Sequence, residues 1–296
     1  MESKTCRWRL RPGSRKDVCP SCGKRTFVRY VLTADPATEA GSEFGRCDRE
    51  SKCGYNRYPS KDSGGPVQDA PRIETRAVIP LRLDPTQVQP TVKSVLFGWV
   101  SEMLGRVWQD REMGRAMAVE AFYKYQVGAT QDGRTVFWQI DEQGEVHAGK
   151  VMAYKADGHR DHAAGSTDWV HRFPGVKATG TDLDQCPFGL HLLSPQHPDT
   201  PVAVVESEKT ALVMSEVAPT ATWLAVGGAA MIGKAAAYMT KYNNVTLIPD
   251  EGQLERWMTA SRLHGWKINT IACRRPVAPG CDILDLLDAH IQPTIK

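Results

Sequence analysis

Residues 201–217 read PVAVVESEKTALVMSEV, and residues 244–252 read NVTLIPDEG. Each stretch opens on a short aliphatic run that ends near an acid, Glu206 in the first and Asp250 in the second. Apolar runs of four or five residues, too brief for a buried helix, mark strands covered on both faces, as in parallel sheets flanked by helices. The alternation continues around them. Strands are expected at 202–205, 222–226, 245–248 and 268–272, and helices at 207–217, 229–242, 253–264 and 283–291. In such sheets functional side chains gather just past the carboxyl ends of the strands, where Glu206 and Asp250 stand. Asp282 and Asp285 follow in GCDILDLLD, residues 280–288. Carboxylates converging there can hold Mg²⁺ through one or two oxygens and leave water positions for a phosphate. Taken singly, an acid after a strand equally serves as a helix cap, and Asp282 is open to that reading.

Upstream the organisation changes. Residues 91–126 place Val92, Val95, Leu96, Trp99, Val100, Met103 and Leu104 at helical spacing, and a second helical run follows through Phe122. Residues 136–140 and 146–154 flank the turn Asp141-Glu142-Gln143-Gly144 and predict a β-hairpin. Residues 155–200 show no clear period. Residues 59–90 hold six prolines and the Gly64-Gly65 pair, which predicts an extended linker. The expected organisation is a ribbon at 1–60, a linker at 61–90, a mixed α/β region at 91–200 and a parallel-sheet domain at 201–296.

The ribbon follows from cysteines. The chain has eight. Cys19-Pro20-Ser21-Cys22 is a two-residue-spaced pair whose tight turn lets two thiolates reach one zinc ion, and Cys47 and Cys53 form a second pair. The first histidine is His147, so a site within this segment is all-cysteine and therefore structural, since four thiolates leave no open position. Cys6 is an alternative ligand that its distance from the first pair disfavours, and Cys186, Cys273 and Cys281 read as ordinary thiols. Interleaved with the cysteines are Arg25, Arg29, Arg46 and Arg57 and the rings of Phe27, Tyr30, Tyr55 and Tyr58. Guanidinium groups suit phosphates and rings suit bases, a pairing fitted to single-stranded DNA. The plain alternative is a solvated charged face with a few rings over the metal.

Composition sets the outer bounds. The 296 residues are 41% hydrophobic and 24% charged, which excludes a collagen, a coiled coil and a wholly disordered chain. Net charge is +3, yet residues 1–60 carry 13 Lys/Arg against 7 Asp/Glu, so the basic segment precedes an acidic body and points to a polyanion. The first ten residues are too charged for a signal peptide, and the longest uncharged stretch, 217–233, contains a proline and three glycines. No membrane span is expected, and a cytoplasmic location is.

Strand–Glu206, strand–Asp250 and Gly280-x-Asp282-x-x-Asp285-Leu286-Leu287, in that order, resemble the Toprim domain of bacterial primases, topoisomerases and certain nucleases. The resemblance covers residues 201–290. It implies a general acid/base role for Glu206, catalytic roles for Asp250 and Asp282, and a magnesium or manganese site built from Glu206, Asp250, Asp282 and Asp285. Upstream, VFWQIDEQGEVHAGKVMAY (136–154), Phe188-Gly189-Leu190 and the 122–128 segment resemble the core of bacterial and phage primases, which also place a zinc ribbon first. That likeness implies a contact from Lys150 to a triphosphate or template; Lys209 is a second candidate. It also implies nucleoside triphosphates as substrates and a separate helicase as a partner, in a mobile element or phage. Three positions depart from the family: Ser207 and Thr210 after the glutamate, and Gly252 where a second aspartate is usual. The expected function is primase-like nucleotidyl transfer. The alternatives are a non-catalytic DNA-binding accessory factor on a degenerate Toprim fold, and a Toprim nuclease.

Overall fold

A computed structural model describes residues 8–49, 53–59, 79–165, 167–274 and 280–291. Cys6 and residues 60–78 of the expected linker lie outside this range. The chain divides into two compact units, 1–77 and 78–296.

The first unit is an antiparallel sheet of β1 (Trp8–Leu10), β2 (Asp17–Val18), β3 (Arg25–Leu32), β4 (Gly45–Cys47) and β5 (Asn56–Arg57). Its order is β1-β3-β4-β5, with β2 pairing with β3 as well. A sheet this small buries little apolar surface; one cluster is Cys19, Phe27 and Cys47, with Cys22, Cys53 and Tyr55 packed against them, and Val28, Tyr30, Val31 and Ala40 are buried besides. Domains of this size usually need a staple beyond their core, and the cysteines occupy that place.

The second unit begins with β6 (Arg82–Leu83), α1 (Val95–Trp108) and α2 (Arg111–Lys124). The two helices separate at Gln109, which adopts a left-handed conformation, and Asp110 caps α2 by accepting from the amides of Glu112 and Met113 at 2.9 and 3.0 Å. Next come β7 (Gly128–Ala129), β8 (Thr135–Ile140), β9 (Val146–Met152), β10 (Asp168–Trp169) and β11 (Ala178–Thr179). They form a sheet ordered β11-β6-β9-β8-β7, with β10 also on β9. The expected hairpin is β8–β9. The proline-rich stretch is less of a linker than expected: Arg82 and Leu83 pair with β9 and β11 inside this sheet. Prolines at 80 and 85 sit just outside the two paired residues, so no ladder donor is lost.

The remaining elements are β12 (Val202–Val205), α3 (Glu208–Val217), β13 (Thr222–Ala225), α4 (Ile232–Met239), β14 (Val245–Leu247), α5 (Leu254–His264), β15 (Lys267–Ile268), α6 (Ile271–Arg274) and α7 (Ile283–Ile291). All strand pairs here are parallel, in the order β13-β12-β14-β15. The strand expected at 268–272 is a correction. It ends at Ile268, because the Asn269 carboxamide accepts from the Ile271 amide at 3.0 Å and starts the α6 turn.

Period-two alternation splits β12 between two cores. Ala203 and Val205 join a cluster with α1, α2, α3 and Leu284 of α7, while Val202 and Val204 join one with α4 and Trp257 of α5. Residues 91–200 and 201–296, read as separate regions, thus share one core: Phe137 and Phe122 lie in the same cluster as Val205 and Leu212.

The sheet order also fixes where a site can form. From β12 the chain passes through α3 to β13 on one side, then through α4 to β14 on the other side of β12. Connections that diverge in this way open a crevice beyond the carboxyl ends of the two strands between them. Those strands are β12 and β14.

Candidate functional site

In the first unit, the four cysteines meet from three directions. Cys19 and Cys22 bracket a turn closed by the Gly23 amide on the Cys19 carbonyl at 2.9 Å, Cys47 ends β4, and Cys53 follows a turn with its amide on Arg49 at 2.7 Å. Their Sγ atoms lie within 4.8 Å of one another, with Cys19–Cys53 at 3.7 Å and Cys22–Cys47 at 4.0 Å. A tetrahedron of thiolates around zinc, at about 2.3 Å per bond, has edges of about 3.8 Å. The donor set fits. Backbone donation at Lys24 draws the Cys22 thiol down to about 6, and the Thr26 hydroxyl, 3.2 Å from Cys47 Sγ, lowers Cys47. Burial first, and then the neighbouring Cys53 and Cys22 thiols, push Cys19 up to about 11, so it is the ligand that most needs the cation's charge.

Around this centre the expected nucleic-acid residues separate into two kinds. Arg25 and Arg57 are exposed, with the Arg57 guanidinium 5.2 Å from the Phe44 ring centroid. Arg46 is half-buried on β4. Arg29 pairs with Asp17 at 3.5 Å and Glu39 at 3.2 Å, and Arg11 closes the same network at 2.7 and 2.6 Å. Tyr30 is buried edge-on against Tyr58 and donates to Asn56 Oδ1 at 3.2 Å. The open cations are thus Arg25 and Arg57, while Arg29 and Tyr30 hold the sheet.

In the second unit, Glu206 follows β12 and Asp250 stands three residues past β14, at the crevice defined by the sheet order. Among the described residues, Glu206 Oε1 is buried without a hydrogen-bond partner. Burial raises the Glu206 carboxyl, against backbone donation at Ala229 and Asp250 and the charge of Arg256. Asp250 is pushed up to about 8, by burial first and then by the charges of Glu206, Asp282 and Asp285. All four acids therefore share one field. They do not crowd: among the described residues, no three of them bring ligand oxygens within 4.8 Å of one another. Magnesium retains several waters and binds through one or two carboxylates, so a wide site suits it.

Asp282 and Asp285 have a second occupation. Asp282 Oδ1 accepts from the amides of Leu284 and Asp285 at 2.8 and 2.9 Å, and Asp285 Oδ2 accepts from the Asp282 amide at 2.9 Å. This reciprocal pair is a capping box at the start of α7. The Thr210 hydroxyl donates to Asp282 Oδ2 at 2.6 Å, so both Asp282 oxygens have partners. Glu251 turns away, accepting from the Gly280 amide at 2.8 Å. Gly252 has φ +81°, a left-handed conformation in which an aspartate would be strained.

The first turn of α3 organises this end of the molecule. Glu208 is 2% exposed and Lys150, on β9, is 5% exposed. Lys150 Nζ donates to Glu208 Oε1 and Oε2 at 2.9 and 3.1 Å and to the Gly227 carbonyl at 3.1 Å. Lys209 donates to the Gly158 carbonyl at 3.0 Å and lies 4.6 Å from the Trp99 centroid. Both lysines are thus engaged within the chain. Three consecutive residues, Glu208, Lys209 and Thr210, tie α3 to β9, to the 155–160 turn and to α7. The reading of the sequence missed Glu208 in this role, although an acid two residues after Glu206 in a helix start was visible.

It also missed a second polar cluster. His147 is buried with Nε2 2.9 Å from Asp141 Oδ2 and Nδ1 3.1 Å from Asp184 Oδ2, and Arg82 reaches Asp184 and Glu145, each at 3.1 Å. Only the spacing of Asp141, Glu145 and His147 across the hairpin hinted at it; Arg82 and Asp184 arrive from distant segments.

The sequence profile of a zinc beta-ribbon finger matches residues 6–65, and that of a domain of unknown function (DUF6371) matches residues 106–251. No curated protein matches the chain. Solved structures similar to it include the following three. One is a bacteriophage T7 lagging-strand DNA polymerase assembly with primase domains bound to an RNA/DNA hybrid and dTTP: 19% identity, TM-score 0.39, 58% of this chain and 81% of that one. Another is the Aquifex aeolicus primase, zinc-binding and RNA polymerase domains: 15% identity, TM-score 0.35, 64% of this chain and 46% of that one. The third is the RNA polymerase domain of Mycobacterium tuberculosis primase: 16% identity, TM-score 0.31, 59% of this chain and 60% of that one.

Proposed function

We propose that this chain is a primase-like nucleotidyltransferase of the Toprim kind, acting on single-stranded DNA with nucleoside triphosphates. One observation carries the reading: Glu206 and Asp250 stand at neighbouring carboxyl strand ends, at the switch point, in a shared negative field that leaves Glu206 Oε1 buried without a partner. Such a pair calls for a cation. Magnesium or manganese held by Glu206 and Asp250, with Asp282 and Asp285 adding negative potential, supplies neutralisation of a triphosphate. Glu206, whose carboxyl is raised by burial, is suited to take the proton of an attacking 3′-hydroxyl as pyrophosphate leaves. The ribbon presents Arg25 and Arg57 to a template strand, and the four cysteines hold its zinc. A helicase encoded elsewhere in a phage or mobile element would deliver that template.

A second reading rests on two observations. Gly252 offers neither a carboxylate nor a backbone that tolerates one, and Asp282 is engaged as a cap. A fold that lost its metal chemistry and kept DNA binding would show both. Primer synthesis on single-stranded DNA with labelled nucleotides and Mg²⁺ or Mn²⁺ separates the two. The first reading expects wild-type incorporation that falls at least 100-fold in Glu206→Gln, with DNA affinity unchanged. A wild-type chain that binds DNA and incorporates nothing with either metal and either sugar establishes the second.

A further inference from the structure

Lys150 stands where a phosphate-contacting lysine was expected, yet its side chain is enclosed. An ammonium has three N–H donors, and three acceptors surround this one: both Glu208 oxygens and the Gly227 carbonyl, all within 3.1 Å. Gly227 is more than an incidental acceptor. It follows β13, has φ +79°, and its amide donates to the Glu206 carbonyl at 2.9 Å. A Cβ at Gly227 would lie 3.2 Å from Glu208 Oε1 and 3.5 Å from Lys150 Nζ. The ion pair therefore packs directly onto this glycine, and Gly228 and Ala229 follow it.

We infer that the Lys150–Glu208 pair is a positioning device, which fixes the turn at residues 227–229 against Glu206 and so shapes the acidic cleft without touching what binds there. Burying two charges is costly, and a well-packed apolar pair of similar volume often holds a fold equally well. Apolar packing lacks direction, however. The fork of Glu208 fixes the ammonium, and the ammonium fixes one carbonyl, so β9, α3 and the β13–α4 turn are held in one register. Glu206 is joined to that turn by the Gly227 amide through its backbone and faces the Ala229 amide through its carboxylate. Loss of the pair frees the turn.

This inference rests on the cleft reading above only for its consequence in metal binding. The test uses the full chain carrying Lys150→Met/Glu208→Met, which removes both charges together so that neither is left buried alone. Amide hydrogen exchange is read at residues 227–229, and Mn²⁺ affinity is read by titration. The expected result is exchange at 227–229 at least tenfold faster, α5 amides unchanged, and Mn²⁺ affinity at least tenfold weaker. Unchanged exchange at 227–229 overturns the inference whatever the metal does. A variant that keeps Mn²⁺ affinity but loses binding of a nucleoside triphosphate also overturns it, because Lys150 would then contact phosphate. If the double variant does not fold, Gly227→Ala displaces the same turn with the pair intact and is expected to weaken Mn²⁺ equally; unchanged affinity there overturns the inference. Full Mn²⁺ affinity in Glu206→Gln overturns the cleft reading alone, and the exchange data still decide the pair.

Discussion

Asp250 carries the sharpest electrostatic consequence of the cleft. Its carboxyl titrates at about 8 in the folded chain against 3.8 ordinarily. Between those values the folded state holds a proton that the unfolded state has released. The stabilisation this provides is full below pH 4 and disappears as pH rises through 8. Asp250→Asn is therefore expected to melt above the metal-free wild type at pH 8.5, by several degrees, with the gap closing toward pH 5. A cation competes with that same proton, so Mn²⁺ should bind about tenfold more weakly for each pH unit below 8. Thermal melts across pH, with and without Mn²⁺, check both; an Asp250→Asn chain less stable than wild type at pH 8.5 refutes the shared field. Asp282 shows the opposite outcome of similar chemistry. Its oxygens already have three donors, so it acts first as a cap, a role worth about 1 kcal/mol in most helices.

Among elements, the ribbon and the first turn of α3 contrast in what holds them. Seven hydrophobic residues are buried among the described residues of the ribbon, three of them in the cysteine cluster, and surface ion pairs such as Lys16–Asp48 contribute roughly 0–1 kcal/mol. A structural zinc site contributes on the order of 10 kcal/mol, so the metal dominates. One zinc per chain is expected by elemental analysis. Cys19→Ser/Cys47→Ser should lose it, together with the dispersed backbone amide spectrum of residues 8–59, while residues 79–291 keep theirs. Full zinc retention in that variant rules the assignment out. The α3 turn, by contrast, is held by three polar contacts on consecutive residues, each to a different segment, over an apolar cluster that supplies the bulk stability.

At the scale of the molecule, charge and chemistry lie in different units. The basic surplus is in residues 1–60 and the carboxylates of the cleft are in the second unit. Arg25→Ala/Arg57→Ala removes two exposed guanidiniums of the ribbon. Single-strand affinity should fall at least tenfold at 50 mM salt, and the slope of log affinity against log salt should shrink by about 1.4, at about 0.7 per phosphate contact. Equal affinity and slope in variant and wild type would take the template role away from this face. No described helix is long and apolar enough to cross a membrane.

Much of this was legible in the residues alone. The parallel strands at 202–205, 222–225 and 245–247, the hairpin at 135–152 and the four-cysteine ribbon follow from local patterns: apolar run length, period-two alternation and ligand spacing. These are set by short-range sterics and by solvent exclusion, so a window of about ten residues contains the information for each strand and each cysteine pair. What lies between elements was decided only by the tertiary structure. The strand order placed β14 beside β12 and so brought Glu206 next to Asp250 across more than forty residues. Packing turned Lys150 inward onto Glu208, gave the second oxygen of Asp282 to the Thr210 hydroxyl and drew Arg82 into the middle sheet. In each case the deciding partner is remote in sequence, and a charged side chain carries no local mark of whether it will meet water or a buried opposite charge.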